Sequence, residues 1–302
     1  MQTIAIVDYG MGNVRSVQKA LEYVAPSDNC ILTSDPQVLR DSDRIVFPGQ
    51  GAMGSCMSAL EENSLVNEIK SSFKSKPFLG ICLGLQLMFE SSEEGNIEGL
   101  NLLKERVKKE GIEVINLQPD LFQNDAISIV DQDGHNISFG LSKPNMNAES
   151  VLNGPLQHLT FSTLDVEKFV DFYVGKLGFC ISDRVLHSNG NLATCFVRSN
   201  HEHHTVACFK SDRIGVDHHS YEAGEWNAIR DWCDHFASMN IELMWGPGRH
   251  GPGNNLFVFV EDPDGNWIEI SAELEVIHDR PSKDWPQEER TLNLWGKAIL
   301  RS

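Results

Sequence analysis

The stretch GPGRHGPGNNLFVFVEDPDGNWIE, residues 246–269, carries the reading on which the fold turns. Its last part, DPDGNWIEIS (262–271), matches DQDGHNISFG (131–140) at an offset of 131 residues. A helical stretch and then a GI- or NI-led strand precede each copy, in LKERVKKEGIEVI (103–115) and IRDWCDHFASMNIELM (229–244). A second pattern is shared by PLQHLTFSTLDVEKFVDFYVGKLGF (155–179) and IGVDHHSYEAGEWNAIRDWCDHFASMNIEL (214–243). Each is a strand bearing a histidine, an acidic turn and an amphipathic helix with aromatics. The chain therefore reads as three strand–helix–strands modules, at about 98–140, 155–212 and 214–272. A module of this size must pair with another to close a sheet around a site.

Pairing the last two modules puts His158 and His218 at the same point on equivalent strands, with Glu269 in the last strand of the final module. Two imidazoles and one carboxylate form a set that binds Fe(II) and leaves coordination positions open. Ser138 occupies the matching position of the first module, so that module supplies no carboxylate.

The wider composition agrees with chemistry placed late in the chain. All eleven histidines fall at or after His135. The net charge is −18, which argues against nucleic acid and against anionic membrane surfaces, since both select clustered Lys and Arg. Seven cysteines without a CxxC pair do not make a disulfide framework and fit reduced thiols in the cytoplasm. The start, MQTIAIVDYG, lacks the basic n-region of a signal peptide. The apolar run PFLGICLGLQLMF (77–89) is too short to span a bilayer. At 302 residues the length suggests about two domains.

Residues from about 98 to 302 resemble a type I extradiol ring-cleaving dioxygenase of the vicinal oxygen chelate superfamily. The resemblance is strongest over 246–269, with support from HLTF (158–161), HHSY (218–221) and WPQEERTLNLWG (285–296). It implies βαβββ repeats, with His158, His218 and Glu269 as ligands of Fe(II), Mn(II) being the alternative metal. It further implies His204, in HHTVACF (203–209), as the acid–base group, and His250 as a hydrogen-bond donor on the substrate side. The substrates implied are a catechol and O2. A near-neutral histidine suits such chemistry, taking a proton from the catechol and returning it later.

Two positions depart from the family. Phe259 stands where a Tyr is usual, which removes a hydroxyl beside the site. Trp245 stands where the homoprotocatechuate branch carries Arg, which favours a neutral, larger catechol; both are read as substrate-binding positions. His201, His203 and His219 read as loop or neighbouring residues, because alternate residues of HEHH (201–204) would face opposite sides of a strand. His187, His235 and His278 read as surface residues, and Phe169, Phe172 and Tyr173 as helix–sheet core.

The first 97 residues read differently. TIAIVDYG, DRIVFPGQGAMG and PFLGICLG are strands ending in glycine turns, and RSVQKALEYVA has helical spacing. This alternation implies a parallel, flavodoxin-like α/β sheet. Gly80-x-Cys82-x-Gly84 has the form of a nucleophile elbow, in which glycines permit the strained turn that exposes a nucleophile. DYGMGNVRSV (8–17), FPGQGAMG (47–54) and GICLGLQLMFESSEEGNIEGL (80–100) resemble class I glutamine amidotransferases, specifically the subunit type found in imidazole glycerol phosphate synthase. The resemblance implies Cys82 as a glutaminase nucleophile and Gly49 to Gly51 as its oxyanion strand. It stops near residue 100, and none of the eleven histidines is followed two residues later by Glu, so the family's His-x-Glu pair is missing. A defective, vestigial glutaminase with a vestigial synthase partner is the expectation.

The expected domains are an incomplete amidotransferase-like fragment (1–97), an unpaired βαβββ module (98–150), a catalytic vicinal oxygen chelate domain (151–275) and a tail (276–302). The unpaired module should expose sheet edge and apolar surface, which the other half or a second chain in a homo-oligomer would cover. A non-enzymatic alternative is a metal-bound module of the same superfamily that sequesters its ligand.

Overall fold

The computed structural model describes residues 1–88, 91–92, 97–98, 102–122, 126–140 and 154–300. The chain divides into two compact units, Met1–Val130 with Asn136–Met146, and Asp131–His135 with Asn147–Ser302. Among the described residues no helix is long and apolar enough to cross a membrane.

The first unit holds a parallel sheet of β1 (Thr3–Val7), β2 (Asn29–Thr33), β3 (Arg44–Gly49) and β4 (Phe78–Cys82), in the order β2-β1-β3-β4. Four helices accompany it, α1 (Val14–Val24), α2 (Pro36–Asp41), α3 (Met53–Glu62) and α4 (Val66–Ser75). The run Ile4-Ala5-Ile6-Val7 is buried throughout because both sheet faces are covered. Ala5, Val7 and Phe47 pack with Leu60 and Ile69, whereas Ile4, Ile6 and Val46 pack with Val17 and Leu21. β2 and the helices α2 to α4 add to the elements read from the sequence. β2 opens on exposed Asn29 and lacks the continuous apolar run of β1.

Helix ends in this unit are closed by side chains. Asn13 accepts from the Ser16 N–H at α1, and Asp35 accepts from the Gln37 N–H at α2, with Pro36 at the first helical position. Behind α2, the Lys76 ammonium donates to the carbonyls of Leu39 (3.0 Å), Arg40 (2.8 Å) and Ser42 (2.7 Å).

Further along lie the two-residue strands β5 (Ser91–Ser92) and β6 (Ile97–Glu98), α5 (Leu83–Gln86) before them and α6 (Leu102–Lys109) after them. Then β7 (Val114–Ile115), β8 (Ile127–Val130) and β9 (Asn136–Phe139) form a three-stranded antiparallel sheet, with β7 and β9 at its edges. The module expected over 98–140 thus has its helix and three strands, but its leading strand differs. β6 pairs with β5 instead of joining the sheet, being two residues long and too short to cross it.

The second unit contains two complete βαβββ modules. The first comprises β10 (Leu156–Thr163), α7 (Val166–Val170) continued by a π-helical turn (Asp171–Lys176), β11 (Cys180–Leu186), β12 (Leu192–Arg198) and β13 (Val206–Lys210). The second comprises β14 (Gly215–Glu222), α8 (Trp226–Ser238), β15 (Trp245–Arg249), β16 (Leu256–Glu261) and β17 (Trp267–Ala272). β18 (Lys283–Pro286) and α9 (Glu289–Leu292) complete the described elements.

These strands form one nine-stranded sheet, β15-β16-β17-β14-β10-β13-β12-β11-β18. The modules meet at the antiparallel pair β10–β14, and each seam strand is flanked by a parallel partner, β13 and β17. The NI-led strand expected after α8 begins later, at Trp245, because Asn240 adopts φ 56° and ends the helix in the left-handed region. Phe169, Phe172 and Tyr173 are buried core, as their spacing suggested.

Strand parity decides what reaches the site. Leu256, Val258, Val260 and Ile270 pack beneath Ile229 and Phe236 of α8. Their neighbours Phe257, Phe259, Glu269 and Ser271 therefore point to the opposite face.

The Lys76 contacts generate a stability test. Lys76→Ala should lower ΔG of unfolding by about 1–2 kcal/mol, because it removes three charge-assisted bonds at a helix C-terminus. Denaturant unfolding should show a lower midpoint with an unchanged m value.

Candidate metal centre

The seam register places His158 and His218 on adjacent strands, with Thr160 opposite His218 and His158 opposite Ser220. Ser220 in turn lies beside Glu269 across the parallel pair β14–β17. The three side chains converge and are buried. His158 Nε2 lies 2.9 Å from Glu269 Oε2, and His218 Nε2 lies 3.4 Å from the same oxygen. One ligand atom from each falls within 4.8 Å of the others.

The hydrogen-bond directions at this point require a cation. His158 Nδ1 faces Gln157 Oε1 at 3.3 Å, and His218 Nδ1 faces Asp217 Oδ2 at 2.7 Å. Both partners are acceptors, so each Nδ1 carries the hydrogen and each Nε2 presents a lone pair to the Glu269 carboxylate. Three acceptors pointed at one another in a buried site are unfavourable unless a positive charge sits among them. A proton on His158 is disfavoured, because burial lowers its pKa, although Glu269 pulls the other way. For Glu269, burial acts to raise the pKa, but the neighbouring His158, His218 and His250 outweigh it. The carboxyl is held well below the usual carboxylate range. Neutral nitrogens, an ionised carboxylate and orienting partners behind the imidazoles suit a divalent metal.

Around this set, Asn255 Nδ2 donates to Glu269 Oε1 (3.1 Å) and to Ser271 Oγ (2.9 Å). Sequence reasoning missed Asn255, which is fully buried. Period-two reading backward from Phe257 and Phe259 places it on the Glu269 face and would have found it.

His204 packs at a tilt against His158, ring centroids 4.2 Å apart, and burial, then His158 and His203, push its pKa well below the ordinary value. It is a neutral imidazole. His250 Nε2 lies 3.6 Å from Glu269 Oε1, and its Nδ1 meets the Leu292 carbonyl at 2.5 Å. With Nδ1 donating there, Nε2 donates to a substrate only when the ring is cationic, and accepts when neutral.

One cavity is lined by the three converging residues, His204, His250 and Asn255, and by the apolar groups Phe196, Phe209, Trp245, Phe259, Leu292 and Ile299. Among the described residues, no Lys or Arg lines it. Trp245 stacks on Phe259 with centroids 5.3 Å apart, and its Nε1 donates to the Lys297 carbonyl (3.1 Å).

The segment 201–204 corrects the strand reading. It is a loop between β12 and β13, so alternation does not apply, and both His203 and His204 are buried. His201 and His278 are exposed, as is His235, whereas His187 and His219 are half-buried.

In the first unit, Cys82 ends β4 at φ 54° and ψ −122°, the strained turn expected of an elbow, with its thiol exposed. Gly49 is its partner across the β3–β4 ladder, and Gly51 follows at φ 96°. A side chain at Gly84 would overlap the Phe47 carbonyl, so the tight turn needs glycine there. All histidines lie in the second unit.

Comparison with known proteins fits both halves. Residues 156–270 match the Glyoxalase/Bleomycin resistance protein/Dioxygenase superfamily, and residues 5–147 match Glutamine amidotransferase class-I. The chain thus joins a vicinal oxygen chelate domain to an N-terminal amidotransferase-like one. Imidazole glycerol phosphate synthase subunit HisH of Nitrosomonas europaea is 59% identical over 100 residues, 33% of this chain and 47% of that protein. The corresponding subunit of Aromatoleum aromaticum is 56% identical over 100 residues, with the same coverage. The chain spans just under half the length of these relatives.

Among solved structures, homoprotocatechuate 2,3-dioxygenase from Arthrobacter globiformis superposes at TM-score 0.57 and 21% identity, covering 66% of each chain. A Mn(II)-bound glyoxalase from Novosphingobium aromaticivorans superposes at 0.55 and 22%, covering 65% of this chain and 66% of the other. The chain spans slightly less than two thirds of each, and at such identities the likeness establishes the fold.

Beside the cavity, Asp183 accepts from Trp285 Nε1 (2.8 Å), Arg280 Nη1 (2.9 Å) and the Lys283 N–H (3.1 Å). Burial acts to raise its pKa, but His203, Trp285 and Arg280 hold it below the usual value. A depressed folded pKa gives stability that is present above the unfolded value, about 3.9, and is lost as pH falls through the folded one. Asp183→Asn should therefore cost about 3 kcal/mol at neutral pH and flatten the acid limb of the stability profile below about pH 4. Urea unfolding across pH checks both.

Proposed function

We propose that residues 151–275 form a catalytic domain that cleaves a catechol ring by extradiol chemistry, incorporating both atoms of O2. His158, His218 and Glu269 would hold one divalent metal, Fe(II) in preference to Mn(II). The observation that carries this reading is the convergence of two imidazole lone pairs and a buried carboxylate at one point of an apolar cavity. A metal held there supplies Lewis acidity toward the catechol oxygens and a redox link between ring and O2.

The chain's own residues account for the rest. His204, neutral and buried, takes a hydroxyl proton from the catechol and returns it during ring opening. His250, anchored on the Leu292 carbonyl and stacked on Phe257, exchanges a hydrogen bond with the substrate. Trp245 and Phe259 form one apolar wall, and the lack of Lys and Arg among the described lining residues favours a neutral catechol. With Phe259 no hydroxyl is offered on that wall, so oxygen activation relies on the imidazoles.

The metal-bound, non-enzymatic module remains distinguishable, as it would bind a catechol stoichiometrically without consuming oxygen. A glutaminase centred on Cys82, with a synthase partner, is the second reading. The strained Cys82 backbone favours it, and the absence of a His-x-Glu pair opposes it.

The test is metal analysis of the purified chain and oxygen uptake with a panel of catechols. Ring cleavage should require Fe(II), and Glu269→Ala should lose metal and reduce turnover by at least about 100-fold. Retained metal with unchanged cleavage in that variant would refute the reading. Trp245→Arg should shift preference about tenfold, near 1.4 kcal/mol, toward carboxylate-bearing catechols. Glutamine hydrolysis abolished by Cys82→Ser would support the second reading.

A further inference from the structure

His203 is fully buried beside His204, and the function described above does not use it. Its Nε2 lies 3.1 Å from Asp183 Oδ2, an ion-pair contact too bent to be a hydrogen bond, and its Nδ1 lies 2.9 Å from His204 Nδ1. Asp183 is itself fully buried and fixed by Trp285, Arg280 and the Lys283 N–H. Arg280 is held in turn by Glu275, at 2.5 Å. These contacts run in one line from the cavity wall to the C-terminal segment.

Each hydrogen along the line is determined by the group before it. A lone pair on His203 Nε2 would face the Asp183 carboxylate at 3.1 Å, and the repulsion between them places the His203 hydrogen on Nε2. His203 Nδ1 then holds a lone pair, and His204 Nδ1 must donate to it. His204 is left with a lone pair on Nε2, to which no described residue hydrogen-bonds, and the ring lines the cavity.

We propose that Asp183 and His203 are positioning residues that lock His204 in its Nδ1–H tautomer and so prepare Nε2 as the base. The inference rests on the acid–base role given to His204 above, and it adds the device that makes this role work in one orientation. A His204 with its hydrogen on Nε2 could not accept a substrate proton there. Two rotatable rings joined only to solvent would populate both tautomers. The buried Asp183 removes that freedom, as a fixed acceptor orients a catalytic imidazole in general.

Two measurements on the full chain test this. Two-bond proton–nitrogen NMR on 15N-histidine-labelled protein, with Zn(II) and without metal, reads each tautomer directly, independently of any activity. His204 should show Nδ1–H and His203 Nε2–H. Asp183→Asn and His203→Leu should produce mixed signals from His204. His203→Gln, whose amide can donate to Asp183 and accept from His204, should restore the single tautomer.

With the Fe(II)-loaded chain and its best catechol, His203→Leu should lower kcat about 100-fold with KM within about twofold, and His203→Gln should recover most of the loss. Observation of His204 as Nε2–H in the unmodified chain overturns the proposal, even if ring cleavage is found. So does a folded His203→Leu with unchanged kcat. If ring cleavage itself is absent, the NMR result still decides the tautomer lock, so failure of the functional reading and failure of this one are separable. A His203→Leu chain that does not fold leaves the unmodified and Gln spectra to decide.

Discussion

The antiparallel pairing of β10 with β14 is the constraint from which the second unit follows. Each module alone has an unpaired edge at its first strand, and backbone N–H and C=O groups there need partners. Joining the two edges satisfies these groups and extends the sheet to nine strands. The same step puts His158 and His218 on neighbouring strands, two residue pairs apart in the ladder. The parallel neighbour β17 then brings Glu269 within reach of both. A slip of one residue at the seam would turn one histidine to the helix-covered face and dissolve the cluster. Sheet pairing and the convergence of these three side chains are one event.

What the sequence disclosed was the repeat, and through it the three converging residues. That was possible because β strands carry their side chains in a fixed period, so matched positions in matched modules meet in space. The strand–glycine turns of the first unit were equally visible, since Ile4–Val7 is one unbroken apolar run. Other features left weaker marks. β2 has an exposed start and a mixed pattern, and α3 shows no side-chain cap. The HEHH segment looked like an alternating strand because nothing in four polar residues reveals a loop. Asp183 and Trp285 lie 102 residues apart, and their bond depends on β18 pairing with β11, which no local pattern announces.

The two halves differ in how complete their chemistry is. The second unit supplies acceptors, orienting groups and an apolar wall from its own strands, loops and C-terminal segment. The first supplies a strained cysteine turn and its glycine surroundings, yet draws its sequence from only part of the proteins it matches. The strained turn exposes the Cys82 thiol, and the sequence of the first unit contains no histidine of its own to serve as a base.

The cavity wall comes from late in the chain. The Leu292 carbonyl anchors His250, the Lys297 carbonyl holds Trp245, and Ile299 lines the same space. The space around the cluster is thus built from two stretches of chain: the converging side chains end at Glu269, and the part of the wall formed by Leu292, Ile299 and the anchored Trp245 depends on residues that belong to neither βαβββ module.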